Sequence, residues 1–357
     1  MKKLPIDMLQ SGMIVARNIF YSGRIMLPRG TVLSRKYIDD LDSLGFTTVW
    51  VKDESLGIQE SGYLEEETRI DAINKVRQIY STLEDKFKTN ISNVSSSVDS
   101  IIDQVLDNRD VLISLSDVHS FDDYIFAHSV NVCILSVATG LSLDYPENKL
   151  RELGIGALFH DVGMTNVDPE IVRKITPLTE EEKQSIRLHP RLGYEILLNL
   201  PEVSIASATI ALQHHERWDS TGYPSGIGKG DIHEYAIVVS IADMFDALIC
   251  DRPYRNAFSV TEALRILSNT NDRHFSSPIL KAFTSNIAIF PVGTLISLNT
   301  GESGIVVDVH KKNPTRPIVK IISDVDHKLL DNPKEIDLSR THNTFIVGIP
   351  DDIVDLI

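Results

Sequence analysis

Cysteine is scarce in this chain of 357 residues, with only 2 present. Cys133 and Cys250 both lie in apolar helical sequence, which argues against a disulfide framework and for buried free thiols. Positive charge is also in short supply. Lys and Arg number 35 against 50 Asp and Glu, a net charge of -15, so a broad basic surface for polymeric nucleic acid or anionic lipid is excluded. An anionic small ligand would need locally concentrated cations or a metal. Long hydrophobic runs are missing as well. The longest strongly apolar stretch, Tyr235 to Cys250, has 16 residues and carries Asp243 and Asp246, too short and too charged to span a bilayer. Met1-Lys2-Lys3-Leu4-Pro5-Ile6-Asp7 lacks the apolar run of a secretory signal, so the expectation is a cytoplasmic protein without membrane insertion. No internal repeat or low-complexity tract is evident.

What is present is a chain of changing character, longer than one hydrophobic core usually supports. Residues 1 to about 55 alternate β-like runs (Met13 to Ala16, Arg24 to Leu27, Thr47 to Val51) with turns, and Ser34 and Gly45 bracket a short helix, predicting a small α+β module. Residues 56–117 read as a Gly- and Ser-containing linker followed by two amphipathic helices. Their stripes are Ile70, Ile73, Val76, Ile79, Leu83 and Phe87, then Ile91, Val94, Val98, Ile101 and Val105. Such stripes either cover the next domain or form a signalling or dimer element. Residues 118–290 are helical almost throughout, with loops at Asn166 to Pro177 and Trp218 to Gly230 and a capping-box pattern at Thr179 and Glu182. Residues 291–357 turn β-rich, with runs at Thr294 to Leu298, Gly304 to Val309 and Ile318 to Ser323, predicting a small antiparallel barrel or sheet. The fold class is therefore mainly α: an all-helical core, a small N-terminal α+β module and a small C-terminal β-rich segment.

The chemistry concentrates in the helical region. The apolar run Gly156 to Phe159 ends in His160-Asp161, and His128, His189, the doublet His214-His215 and Asp243 stand in or beside other apolar helical stretches. One histidine on an apolar face is usually a core residue. Five of them with two aspartates are harder to explain that way, because an Asp amid an apolar helix is costly to bury unless paired or metal-bound. Imidazole and carboxylate ligands without cysteine lean towards iron or manganese over a closed structural zinc site, and seven candidate ligands suit two metal ions better than one. A carboxylate shared between two metals would hold them close enough for phosphoester hydrolysis.

Taken together, His128 to Val132, His160-Asp161, His189, His214 to Asp219, Gly222-Tyr223-Pro224, Asp243 and Asp251 to Arg255 resemble the HD-GYP family, bacterial phosphodiesterases of cyclic di-GMP in the HD superfamily. The resemblance covers about residues 118–290 and implies an HD-type core. It implies that His128, His160, Asp161 and Asp243 ligate one metal, and that Asp161 bridges to a second held by His189, His214 and His215. His160 and Asp161 would be the catalytic pair, working through a metal-bridging hydroxide that opens cyclic di-GMP to linear pGpG, with a further cut to GMP left open. Tyr223 would contact the nucleotide, and Arg252 and Arg255 its phosphates or guanine edges. Gly222 is expected to give the loop turn freedom and Pro224 to stiffen it.

Two positions depart from the family pattern. Met164 stands where the His-Asp-x-Gly-Lys pattern has lysine, and Tyr124 where some members place a Glu for a third metal. These departures imply a two-metal site with slowed turnover. They also leave open a receptor that binds cyclic di-GMP or a protein partner without efficient hydrolysis, and a hydrolase of another cyclic dinucleotide. A homodimer or a signalling partner stays open from the amphipathic stripes upstream of the helical core.

Overall fold

Local sequence signals place the first elements. In a computed structural model, described for residues 2–16, 18–21, 24–46, 48–52, 66–83, 92–108, 124–172, 174, 176–250, 257–270, 274–311, 313–326 and 328–348, the N-terminal module comprises five elements. They are β1 (Lys2–Pro5), β2 (Ile19–Tyr21), β3 (Arg24–Leu27), α1 (Arg35–Ser43) and β4 (Thr48–Val51). Ser34 caps α1 by accepting from the Tyr37 N–H, and Gly45 follows the helix with φ +79°, a conformation open to glycine. β1 pairs antiparallel with β4 and β2 with β3, over a core that includes Leu33, Leu41, Val49 and Val51. Sequence patterning missed β1 and β2, which at 4 and 3 residues are too short to establish an alternation. The Met13 to Ala16 run contributes isolated bridges at Ile14 and Val15 and no strand.

A helical unit follows: α2 (Glu66–Leu83), α3 (Ser92–Asp107), α4 (Tyr124–Ser142), α5 (Glu147–Leu158), α6 (Pro169–Val172), α7 (Glu180–Ile186), α8 (His189–Leu198), α9 (Ile205–Gln213), α10 (Glu234–Ile249), α11 (Val260–Asn269) and α12 (Ser277–Thr284). The apolar stripes of α2 and α3 cover α4 and α5 within this unit. Phe87 and Ile91 of the expected stripes, and the linker at 56–63, lie outside the described residues. α4 is apolar on all faces, as a helix enclosed by others must be, and packs against α2, α5, α10 and α12. Its segment Ile125–Ser142, with mean hydropathy 1.5, is long and apolar enough by composition to cross a membrane, and 78% of it is buried inside the fold. It exceeds the Tyr235 to Cys250 stretch because it contains no Asp, Glu, Lys or Arg to interrupt it. Cys133 on the same helix is fully buried, and burial pushes its thiol far up, into an inert state.

The loop before α7 is pinned at both ends of a capping box. Thr179 accepts from the Glu182 N–H and Glu182 from the Thr179 N–H, while Lys174 reaches the Glu182 carboxylate at 2.6 Å. The turn after α5 is a 3-10 helix at Val162–Asn166 that packs directly on α8. A Cβ at Gly163 would lie 2.0 Å from the His189 carbonyl oxygen and 2.5 Å from the Gly193 nitrogen. The backbones of these two segments touch because no side chain separates them.

The C-terminal segment forms one antiparallel sheet of β5 (Leu295–Leu298), β6 (Ser303–Asp308), β7 (Ile318–Ser323), β8 (Leu329–Asp337) and β9 (Ile346–Gly348), in the order β8-β7-β6-β5-β9. Ile296, Val306, Val319 and Ile321 are its buried face. Pro333 lies within β8, where an edge position tolerates the missing N–H.

Replacing Gly163 by Ala forces Cβ into backbone atoms and is expected to cost about 3 kcal/mol. The thermal midpoint should drop by roughly 6–12 °C. An unchanged melting curve would show that the turn and α8 separate freely.

Candidate metal and active site

Helix ends and two helix interiors carry the site. α5 ends just before His160 and Asp161, α8 begins at His189, and α9 is capped by His214 with His215 next. His128 comes from within α4 and Asp243 from within α10. These residues fall into two clusters that could each hold a metal ion, His128, His160 and Asp243 in one, and Asp161, His189, His214 and His215 in the other, with ligand atoms of each cluster within 4.8 Å of one another.

Asp161 faces both. Its Oδ1 lies 3.2 Å from His189 Nε2 and 3.5 Å from His214 Nε2, and its Oδ2 lies 3.5 Å from His160 Nε2. Burial works against its charge, but His160, His189 and His214 hold its carboxyl well below the usual range. Asp161 and Asp243 keep 24% and 17% of their side chains exposed while His160 and His214 are at 0%, so the accessible side of the site is formed by the two carboxylates and the half-buried His215.

The imidazoles are oriented by their far nitrogens. Nδ1 of His160 donates to the Ala157 carbonyl at 2.8 Å, that of His189 to Ile186 at 2.7 Å, and that of His214 to Ala211 at 2.9 Å. Each bond leaves a lone pair at Nε2 pointing into the cluster, the arrangement that metal-binding histidines adopt. Two consequences follow. His160 Nε2 is buried without a hydrogen-bond partner. His189 Nε2 and His214 Nε2 approach to 3.2 Å, where two lone pairs repel unless a proton or a cation lies between them. The donor set therefore fits a pair of divalent ions.

His128 is held differently. Its Nδ1 lies 2.7 Å from Asp246 Oδ2 and its Nε2 3.2 Å from Asp243 Oδ1. Burial disfavours its charge, yet the two carboxylates override burial and raise its pKa to about 10. In the metal-free protein this adds stability that is complete below the ordinary value near 6.5 and disappears as pH rises through about 10. Burial dominates at His160 and lowers it to about 4. Burial and the neighbouring His214 likewise keep His215 neutral.

Asp246 escaped the sequence reading as a functional residue. It is fully buried, accepts from Asn131 Nδ2 at 2.7 Å as well as from His128, and receives the Cys250 thiol at 3.6 Å. The available signal was its spacing three residues after Asp243, which puts both carboxylates on one face of α10.

The Gly-Tyr-Pro loop folds back on the histidine doublet. The Tyr223 N–H donates to the His215 carbonyl at 3.2 Å, its ring stacks on His215 with centroids 4.6 Å apart, and the exposed Arg187 guanidinium lies 5.3 Å above that ring. Burial, reinforced by Asp161 and Asp243, pushes the Tyr223 phenol well above its usual value, so it stays neutral. Glu216 is buried and anchors the loop by accepting from the Ser225 N–H at 2.7 Å. Gly222 has another role than the expected turn freedom: a Cβ there would fall 2.5 Å from Arg217 N, Glu216 Cα and His215 O, so close approach excludes a side chain. Pro224 follows Tyr223 through a cis peptide bond. Arg252 and Arg255 lie outside the described residues.

Side-chain nitrogen spectra of the metal-free protein should show His128 as imidazolium until about pH 10 and His160 neutral, with its proton on Nδ1, down to about pH 4. Titration of both near 6.5 would contradict the geometry.

Comparison with known proteins agrees with this construction. A family model described as HD domain matches residues 119–279, and one described as KOW domain associated with HD domain matches residues 295–352. Cyclic di-GMP phosphodiesterase PA4108 of Pseudomonas aeruginosa is 34% identical over 253 residues, covering 71% of this chain and 61% of that protein. The 3'3'-cGAMP-specific phosphodiesterase 3 of Vibrio cholerae is 33% identical over 144 residues, covering 40% of this chain and 31% of that protein. The chain thus spans about three-fifths of the first relative's length and under a third of the second's. A solved structure, Bd1817, a HDG"Y"P protein from Bdellovibrio bacteriovorus, aligns with TM-score 0.50 at 16% identity over 79% of this chain and 97% of that one, a likeness of fold. The chain thus carries an HD-domain match, with its histidines and aspartates gathered on helices within residues 119–279.

Proposed function

We propose that this protein hydrolyses cyclic di-GMP to linear pGpG, using two transition-metal ions, iron or manganese. The observation that carries the reading is Asp161, whose two oxygens face two separate imidazole clusters. His128, His160 and Asp243 would hold one ion and His189, His214 and His215 the other, with Asp161 shared between them. When bound, such ions supply water acidified towards neutral pH and neutralise charge on a phosphate between them.

The chain's own residues do the rest. Locked imidazoles would cost little reorganisation on loading, and His128 would have to give up its Nε2 proton to hold a metal there. Tyr223, flat on His215, offers a neutral aromatic face and a hydroxyl to the dinucleotide. Arg187 brings a cation to the same edge, and the resemblance assigns Arg252 and Arg255 to phosphate or guanine contacts. His160 and Asp161, adjacent in sequence and directed to both clusters, are the centre of the catalytic machinery.

A second reading, hydrolysis of another cyclic dinucleotide, is favoured by the cGAMP-specific relative. Parallel assays on cyclic di-GMP, cyclic GMP-AMP and cyclic di-AMP separate the two. Preference for either alternative substrate would replace the first reading.

Elemental analysis of the isolated protein should find about two transition-metal ions per chain, and Asp161→Ala should lose both along with hydrolysis. Metal-free protein that gains no activity from added iron or manganese would refute the proposal.

Met164 bears on rate. A lysine ammonium near the scissile phosphate could stabilise developing charge, a contact whose loss typically costs on the order of 100-fold. Met164→Lys should therefore speed the chemical step in single-turnover measurements at saturating cyclic di-GMP. If the parent is already fast and the variant slower with its metals intact, Met164 is an apolar filler and the ions suffice.

A further inference from the structure

The HD-domain match begins at residue 119, yet a hydrogen-bonded chain reaches the site from α2, well upstream. Arg69 Nη2 donates to Asn131 Oδ1 at 2.8 Å, Asn131 Nδ2 donates to Asp246 Oδ1 at 2.7 Å, and Asp246 Oδ2 accepts from His128 Nδ1 at 2.7 Å. Every direction in this chain is fixed by chemistry. A guanidinium only donates, so the Asn131 amide can lie in one orientation, oxygen to Arg69 and nitrogen to Asp246. Asp246 then has its second oxygen for His128 Nδ1–H, which leaves His128 Nε2 turned towards Asp243 at 3.2 Å.

The same helix braces the other histidine of that cluster. Tyr80 on α2 is buried, stacks on Phe159 at 6.3 Å with planes 22° apart, and meets Phe126 edge-on at 5.6 Å. Phe159 directly precedes His160 and Phe126 lies two residues before His128. The contacts of α2 thus bear on the backbone and ring orientation of His128 and His160. The ligands on α8 and α9 are oriented by carbonyls of their own local segments.

We infer that Arg69 is a positioning residue for the cluster of His128, His160 and Asp243, setting its metal affinity through Asn131 and Asp246 and making α2 a working part of the site. The inference rests on the reading that this cluster holds an ion. Partners that orient metal-bound histidines commonly change affinity by about 10- to 100-fold when removed, and Arg69 acts through two intermediates, so an effect near the lower end is expected.

The test is titration of the metal-free full chain with Mn2+, resolving the tighter and weaker sites, for the parent, Arg69→Met, Arg69→Lys, Asn131→Leu and the double variant Arg69→Met with Asn131→Leu. Arg69→Met should weaken one site about 10-fold and leave the other within about twofold. Arg69→Lys, which keeps a cationic donor, should recover much of the loss. The double variant should be no weaker than Asn131→Leu alone, since both changes interrupt one chain. Retention of the unaffected site shows that the variants fold. Two sites of parental affinity in Arg69→Met would overturn the relay alone. Equal weakening of both sites would mark a general loss of packing and overturn it too. A parent that takes up no Mn2+ would overturn the metal reading, and the relay with it.

Discussion

Five imidazoles and two carboxylates converge in a largely buried space, and the cost of holding charge there governs the surrounding structure. An isolated carboxylate in such surroundings would give up its charge. Asp161 and Asp243 keep theirs because imidazoles flank them, and His128, His160, His189 and His214 keep their poses because backbone carbonyls and Asp246 hold the far nitrogens. Each device transfers the requirement one layer outward. Asp246 needs Asn131, and Asn131 in turn engages Arg69. The polar layer is high-stakes in the usual sense of buried networks, since a half-satisfied chain is worse than none.

The helical scaffold meets this demand through where its helices stop. Two of the five contributing segments present their ligands at the C-terminal ends of α5 and α9, where unpaired carbonyls are naturally available to accept an imidazole N–H. His189, which opens α8, uses the Ile186 carbonyl at the C-terminal end of α7. The close seating of the Val162–Asn166 turn on α8 through Gly163 brings Asp161 and His189 together without any side chain between. Gly222 performs the parallel service for the loop bearing Tyr223. In both places glycine is required by contact distance, and neither depends on positive φ.

Much of the site was legible in sequence because metal-type ligands stand out against apolar helix. Asp243 announces itself as a charge that needs a partner, and the adjacent pair His160-Asp161 does the same. Asp246 was harder to read, since its partners lie 115 and 118 residues away and no local pattern marks them. Arg69 sits on what looks like an ordinary amphipathic helix, where a single arginine on the polar side reads as solvated. The strands followed the same division. β7 is visible as a β-rich run from Ile318 to Ser323, whereas β8 carries Pro333, admitted by an edge position that asks nothing of the proline nitrogen.

The covering of α4 and α5 by α2 and α3 bears on how the protein can be dissected. A fragment cut at the family boundary would uncover the faces against which Ala72, Val76, Ile79, Val98, Ile101 and Val105 are buried, all at 5% exposure or less. Such a fragment would be sticky as well as incomplete, because a contiguous apolar face left open invites self-association. Inactivity in a minimal domain of this kind would then report on the cut and say little about the chemistry.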